Sequence, residues 1–374
     1  MTQEPHHLVL VGCGHAHLEV LRCFGRRPND GLRLTLITRG KRAPYSGMLP
    51  GFVAGHYGAN EAQVPVAPLA EWARCEVVIG EVVSFDAAQR VLTLQDGRPI
   101  AGTIISINCG AVTSLGNSTP AEDALPAKPM DDFALRWEQL VNRIEADPGI
   151  RIAVVGAGAG GVELALALRY RMQEAARRGA RPDQGQVTLF DRQGLLQEFS
   201  PAVRRSAARR LERGDVLLIT DDDLPALPEA NRNSTLYDEQ IWATGVRPAE
   251  WLVHSGLALD AKGFVAVDEH LRSTSHGYVF CAGDAAGLIG SPCPKAGVIA
   301  VRQGPVLARN LHAQAQSLPL IRFTPPRIWL SILSTGERYA IASRGSWSVE
   351  GHWVWHWKDW IDRRFIAKYK CRSE

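Results

Sequence analysis

Two short glycine clusters hold the residue types best placed to do chemistry. The first reads Gly12-Cys13-Gly14-His15-Ala16-His17 and the second Gly156-Ala157-Gly158-Ala159-Gly160-Gly161. Each follows a short apolar run and opens a stretch of helical periodicity. In a strand-to-helix turn of this kind the first Gly makes the tight bend. The second lets backbone approach a pyrophosphate resting on the helix N-terminus. The third lets helix and strand pack closely; the second cluster has Gly161 there, and the first has His17. An acidic residue ending the next strand ordinarily accepts from the ribose hydroxyls. Asp191 stands there in the second unit, farther along than the usual spacing of about 20 residues. A long helical stretch through Arg181 explains the distance. Asp191 suits NADH over a 2′-phosphate, and the adjacent Arg192 weakens that preference. The corresponding strand of the first unit ends in Thr38-Arg39, without an acid. Two readings stay open for Arg39, Lys41 and Arg42: phosphate contact, or a solvated basic loop.

These clusters need elements to position them. Around the first, residues 8–11, 32–37 and 103–108 read as buried strands, with a helix through Phe24. Residues 75–85 and 90–94 alternate in strand fashion around a turn. Around the second, 150–155 and 187–190 read as strands, with helices over 131–144 and 162–178. Farther on, 241–243 and 277–282 read as strands and 296–313 as a helix. Residues 110–128, rich in Gly, Ser, Thr and Pro, read as a connection. The composition shifts near residue 325, and 327–343 reads as strands of a separate C-terminal piece. The expected fold is α/β, with two Rossmann-like dinucleotide-binding units and a small C-terminal cap. One unit takes residues 1–112 and 265–324, the other 113–264, and the cap 325–374.

The chain has 374 residues, 45% hydrophobic and 22% charged, with a net charge of +3. Such a composition excludes disorder and fibrous repeats, and so weak a charge gives no case for nucleic acid. No apolar run is long enough for a transmembrane helix, and the polar start gives no signal peptide. The seven cysteines include no CxxC pair, which excludes a zinc ribbon and fits a reducing compartment. Cytoplasmic residence is expected. His15 and His17 point to different faces of a helix start, and no metal site is expected.

The order of these pieces resembles the flavoproteins with two dinucleotide domains: type II NADH:quinone oxidoreductases, sulfide:quinone reductases and other pyridine nucleotide-disulfide oxidoreductases. Residues 10–22, 44–51, 294–311 and 353–369 further resemble the FAD-dependent module found fused ahead of selenophosphate synthetase. The resemblance implies FAD on the discontinuous unit and NAD(P)H, as co-substrate, on the other. It implies that Gly12, Gly14 and His17 lie along the FAD pyrophosphate, and that Tyr45, Ser46, Gly47, Met48 and Leu49 line the flavin. Gly110, Gly283 and Asp284 join that set; the Asp is expected at the ribityl chain or phosphates. Lys295, Ala296 and Gly297 face the flavin pyrimidine ring, where a cation and a helix N-terminus stabilise negative charge. For the nicotinamide nucleotide it implies Gly156, Gly158, Gly161, Glu163, Asp191 and Gly245. Glu163 also reads as an ordinary first-turn acid favoured by the helix dipole. No side chain is compelled as catalytic; Glu163, Lys295 and Cys293 are the candidates. The activity implied is hydride transfer from NAD(P)H to flavin, with electrons passed on to an acceptor such as a quinone. One alternative is sulfide or selenium-compound oxidoreduction at Cys293 or Cys109. The other is a flavin-binding sensor or partner subunit without turnover.

Trp347, Trp353, Trp355, Trp357 and Trp360 crowd the C-terminal segment. From Trp357 onward, Trp360, Ile361, Phe365, Ile366 and Tyr369 recur at helical spacing, opposite Lys358, Asp359, Asp362, Arg363 and Lys368. Two readings stay open. The helix either rests at the inner face of a membrane as a peripheral anchor, or packs against the chain's own FAD unit or a second copy.

Overall fold

The computed structural model describes residues 6–116, 124–180, 182–220 and 236–370. Cys371, Arg181 and the centre of the 110–128 connection lie outside them. In chain order the elements that matter are β1 (His6–Val11), α1 (His15–Arg26), β2 (Leu32–Thr38), α2 (Leu49–Ala54), β3 (Cys75–Ile79) and β4 (Ile104–Ile107). There follow α3 (Met130–Ala146), β5 (Arg151–Val155), α4 (Ala159–Arg178), β6 (Gln186–Asp191), β7 (Val216–Thr220), β8 (Glu239–Trp242) and β9 (Val279–Cys281). The last are α5 (Gly297–Ala315), β10 (Ser331–Thr335), β11 (Glu337–Arg344), β12 (Trp347–Gly351) and α6 (His352–Tyr369).

Two parallel sheets carry the two glycine turns. The first has the order β9-β4-β1-β2-β3, so strands from distant parts of the chain share it. The second has the order Leu125–Pro126, β8, β5, β6, β7. Sheets covered on both faces demand near-continuous apolar strands, as in Leu8-Val9-Leu10-Val11 and Ile152-Ala153-Val154-Val155, all buried. Such strands end where their helices begin, so both turns lie at the carboxyl edges of the sheets, where doubly wound folds take ligands. The chain crosses between the bodies twice, and the crossings pair as antiparallel Val112–Thr113 and Val246–Arg247.

Residues 75–85 do not form one strand around a turn. Cys75–Ile79 joins the first sheet, whereas Val82–Asp86 starts a separate antiparallel sheet with Val91–Leu94 and Pro99–Ala101. The C-terminal piece gains a third strand, β12, and its helix starts at His352, five residues before the aromatic periodicity begins. Pleating divides this small sheet between two cores. Leu333 and Ile341 join the core of the second body, and Ala340 and Ala342 that of the first.

The C-terminal helix packs against its own chain. Val354, Trp355, Ile366 and Tyr369 are buried in the first core. Its last turn is held by Glu19 of α1, a buried carboxylate. Glu19 accepts from the Tyr369 hydroxyl at 2.9 Å and pairs with Lys368 at 2.7 Å and Arg22 at 2.6 Å. Burial alone raises a carboxyl pKa. Here the hydrogen bonds from Arg22, Lys368 and Tyr369 together outweigh it and hold Glu19 at about 2. A folded pKa below the unfolded one stabilises the fold above the ordinary carboxyl range, and that contribution is lost as pH falls toward 2. Glu19→Gln is therefore expected to lower stability by about 2 kcal/mol at pH 7, the scale of hydrogen bonds to charged groups. The deficit should shrink between pH 5 and 3 in urea titrations; one that stays constant with pH would refute the charged latch.

Candidate functional site

The first turn is built by close approach. Gly12 has φ +85°, and a Cβ on it would stand 2.5 Å from the Cα of Cys109. Gly12 N–H donates to Ile37 O and Gly14 N–H to Asn108 O. The Asn108 side chain completes the junction. Its Oδ1 accepts from the N–H groups of Ala16 and His17, at 3.0 and 3.2 Å, and its Nδ2 donates to Ala282 O at 2.8 Å. Among the described residues the N–H groups of Cys13 and His15 have no partner, leaving donors at the head of α1 for an anion. Sequence reading missed Asn108. Its one signal is a polar residue closing an otherwise buried strand.

His17 stands elsewhere than expected. It is fully buried, its Nδ1 lies 2.5 Å from Gly12 O and its Nε2 2.8 Å from Ser106 Oγ. Burial pushes the ring down to about 4, so it is neutral. A carbonyl only accepts, so Nδ1–H donates to Gly12 and Nε2 accepts from the serine hydroxyl. Both ring nitrogens are engaged within the fold, so neither is left for the pyrophosphate contact expected of His17.

Tyr45 to Leu49 form the facing loop. Tyr45 stacks on Phe365 of α6, with centroids 4.0 Å apart. Lys358, also on α6, donates to Gly47 O at 2.5 Å and to Asp362 Oδ2 at 2.7 Å. Met48 is buried in the first core and so lies away from any cleft. Leu49 packs on the second core. Gly297 opens α5 beside this loop; a Cβ on it would stand 3.1 Å from Ser46 Oγ. Ala296 is the N-cap of that helix. Gly110, with φ +76°, has open space where a Cβ would project.

The expected cation is displaced. Lys295 donates to Ala286 O and lies 3.7 Å from the centre of the Phe264 ring. Burial lowers its pKa. Lys128 pairs instead with Asp284 at 2.6 Å. Lys128 is fixed by two hydrogen bonds with Thr113, at the crossing between the bodies. Gly283, with φ +68°, donates to Gln303 Oε1. Arg39 is not a free phosphate ligand: it bridges Asp132 of α3 and Glu81.

The second turn leaves more of its backbone free. Gly156 has φ +109°, and a Cβ on Gly161 would stand 1.7 Å from Gly156 O. Cβ atoms on Gly158 and Gly160 would meet nothing within 4 Å. The N–H groups of Ala159, Gly160 and Gly161 have no partner among the described residues, a fit for a pyrophosphate. Asp191 is buried, and its Oδ1 caps the N–H groups of Gln193 and Gly194. Gly245 O accepts from Ser114 N–H at 2.7 Å. Glu163 is the fifth residue of α4, past the first turn expected of it, and accepts from Ser334 N–H at 2.8 Å. Burial pushes its carboxyl up to about 7 against the pull of Lys358. Lys358, which donates to Gly47 O in the loop of the first unit, thus also acts electrostatically on the second.

Burial pushes the Cys109 thiol up to about 12 and raises that of Cys293, and the described cysteines are free of disulfides.

Comparison with known proteins agrees with this architecture. Residues 6–315 match the family model described as pyridine nucleotide-disulphide oxidoreductase. The chain is 25% identical over 295 residues to the NADH dehydrogenase-like protein YutJ of Bacillus subtilis, covering 76% of this chain and 78% of that one. It is 27% identical over 178 residues to an internal alternative NAD(P)H-ubiquinone oxidoreductase A1 of Arabidopsis thaliana, covering 45% of this chain and 35% of that one. The sulfide:quinone oxidoreductase of Aquifex aeolicus superposes with a TM-score of 0.76 at 18% identity, over 98% of this chain and 91% of that one. NDH2 of Plasmodium falciparum, solved with NADH, superposes with a TM-score of 0.75 at 12% identity, over 98% and 97%. With its two glycine-turned parallel sheets and a family match over most of its length, the chain belongs to the pyridine nucleotide-disulphide oxidoreductase family.

Proposed function

We propose that this protein is an FAD-dependent NAD(P)H oxidoreductase that delivers electrons to a small acceptor of the quinone type. Residues 1–112 and 265–324 hold FAD, 113–264 hold the nicotinamide nucleotide, and 325–374 cap the cleft. The observation that carries the reading is the pair of glycine turns, each leading from a strand of a parallel sheet into a helix. Each has unpartnered N–H groups at the head of a long helix. The first turn, Asp284 and the head of α5 would hold FAD, and the second turn would hold the nucleotide. Bound flavin supplies the chemistry, taking hydride from the nicotinamide and passing electrons on. The chain's own residues position and exclude water. Tyr45 and Phe365 close the loop, Lys128 supplies positive charge, and Glu163 keeps a proton below about pH 7.

The quinone acceptor follows the activities named for the plant relatives. The finer resemblance, to the module fused to selenophosphate synthetase, rests on residues 10–22, 44–51, 294–311 and 353–369. Under anaerobic conditions NADH or NADPH should bleach the bound flavin, and quinones should restore its colour faster than sulfide or selenium compounds do. A yellow protein that neither nucleotide bleaches would exclude the reading and favour a sensor. Gly161→Ala should weaken NADH binding at least tenfold, about 1.4 kcal/mol, with flavin content unchanged. Unaltered NADH binding would remove the second turn from the site.

The outer face of α6 carries the membrane reading. Trp353 and Trp360 are each 56% exposed, and Arg364 lies over the Trp360 ring. Among the described residues no helix is long and apolar enough to cross a membrane. Wild type should sediment with phosphatidylglycerol vesicles, and the double variant Trp353→Ser, Trp360→Ser should not. Equal sedimentation of both, or concentration-dependent association without vesicle binding, would reassign this face; the second outcome points to a homodimer.

A further inference from the structure

One side chain at the first turn has a hydrogen-bonding atom that nothing in the fold uses. His15 is the first residue of α1 and follows Gly14. Its ring stands edge-on to Tyr45 with centroids 5.3 Å apart, and to Phe365 at 5.6 Å. Its Cε1 lies 3.9 Å from where a Cβ on Gly297 would stand. Nε2 is buried and has no partner. His17, two positions on, has both nitrogens bonded.

The contrast has an energetic meaning. A buried polar atom left unpaired costs about 1–3 kcal/mol. Carbon in its place would pack on Tyr45 and Phe365 without that cost. The ring sits among segments of separate origin: the turn at Gly12, the loop at Tyr45 and Ser46, and the head of α5 at Gly297. Asp284 and Lys128 act on it electrostatically from the adjoining side. Burial pushes the ring down to about 4, so at neutral pH one nitrogen donates and the other accepts. These are the segments assigned above to FAD.

We propose that His15 binds the cofactor directly, its ring hydrogen-bonding to the pyrophosphate–ribityl chain of FAD. The first turn then holds its ligand through a side chain as well as through backbone. This compensates for the backbone donors of Ala16 and His17 that Asn108 has taken. The second turn, whose backbone donors are unspent, needs no such side chain and has Ala159 at the matching position. The inference rests on the assignment of the first turn to FAD.

The test compares the full chain, as purified, with His15→Leu, His15→Phe and His15→Gln. Flavin content is read from absorbance, and release is followed by the fluorescence of free flavin as potassium bromide is raised. NADH binding, read from nucleotide fluorescence, reports on the second turn. Leu and Phe should weaken FAD retention at least about tenfold, and Gln, which keeps a donor and an acceptor, by no more than about threefold. NADH binding should be equal in all four proteins. Leu and Phe variants that hold FAD as tightly as wild type would overturn the proposal. So would loss of NADH binding alongside FAD in both, which would mark His15 as a folding residue. A wild type that takes up no FAD needs no variant to be seen, and would overturn the functional reading together with this one.

Discussion

A primary amide offers donors at one end and acceptor lone pairs at the other, held in one plane. Asn108 uses both ends at the point where β4 stops. Its oxygen takes the N–H groups of Ala16 and His17 in the first turn of α1, and its nitrogen reaches the carbonyl of Ala282 beyond β9. One side chain therefore sets the entry angle of a helix and the register of two strand ends. Gly12 and Gly14 have to be glycine because this junction is so close: a Cβ on either would strike the backbone or side chain of residues 108 and 109. The geometry of the first cleft follows from that single crowded contact.

The second turn solves the same problem differently. No amide intrudes, and the crowding lies within the turn itself, between Gly161 and Gly156 O. Its donors stay available, and its third glycine does the packing that His17 performs in the first unit. The two turns share a plan but divide its tasks differently between backbone and side chain. The C-terminal helix then joins them. Lys358, a buried ammonium, satisfies itself on Gly47 O and Asp362 while lowering the cost of charge on Glu163. A lysine buried with both an acceptor and a countercharge is stable in place, and it ties the C-terminal helix to the loop at Gly47.

Much of this was legible in the residues themselves. Apolar runs before two glycine clusters announce parallel strands feeding helices, and the helix through Phe24 and the strand after it follow from period alone. What stayed hidden has physical reasons. Periodicity places His17 on a buried helix face but cannot reveal that Gly12 O and Ser106 absorb both its nitrogens. The resemblance puts Lys295 at the flavin; only folding shows it engaged by Phe264 and Ala286, and Lys128, from a connection with no periodic signal, paired with Asp284. The split at residues 79–82 is invisible because alternation is the same on either side of it. Asp191 ends its strand as expected, yet the turn it caps is a matter of local hydrogen bonding that spacing does not encode.

Asn108 and Ala282 are 174 residues apart in the chain. During vectorial synthesis at about 5–20 residues per second, the ribosome needs roughly 9–35 seconds to bridge that interval. Over this time β4 presents a bare edge, since its partner strand does not yet exist. The strands of the second sheet all lie between Leu125 and Trp242 and are made before β9, although its core still awaits Leu333 and Ile341. Cofactor loading is thereby a late event of biogenesis, and the nascent first sheet is the stretch with most need of protection by chaperones.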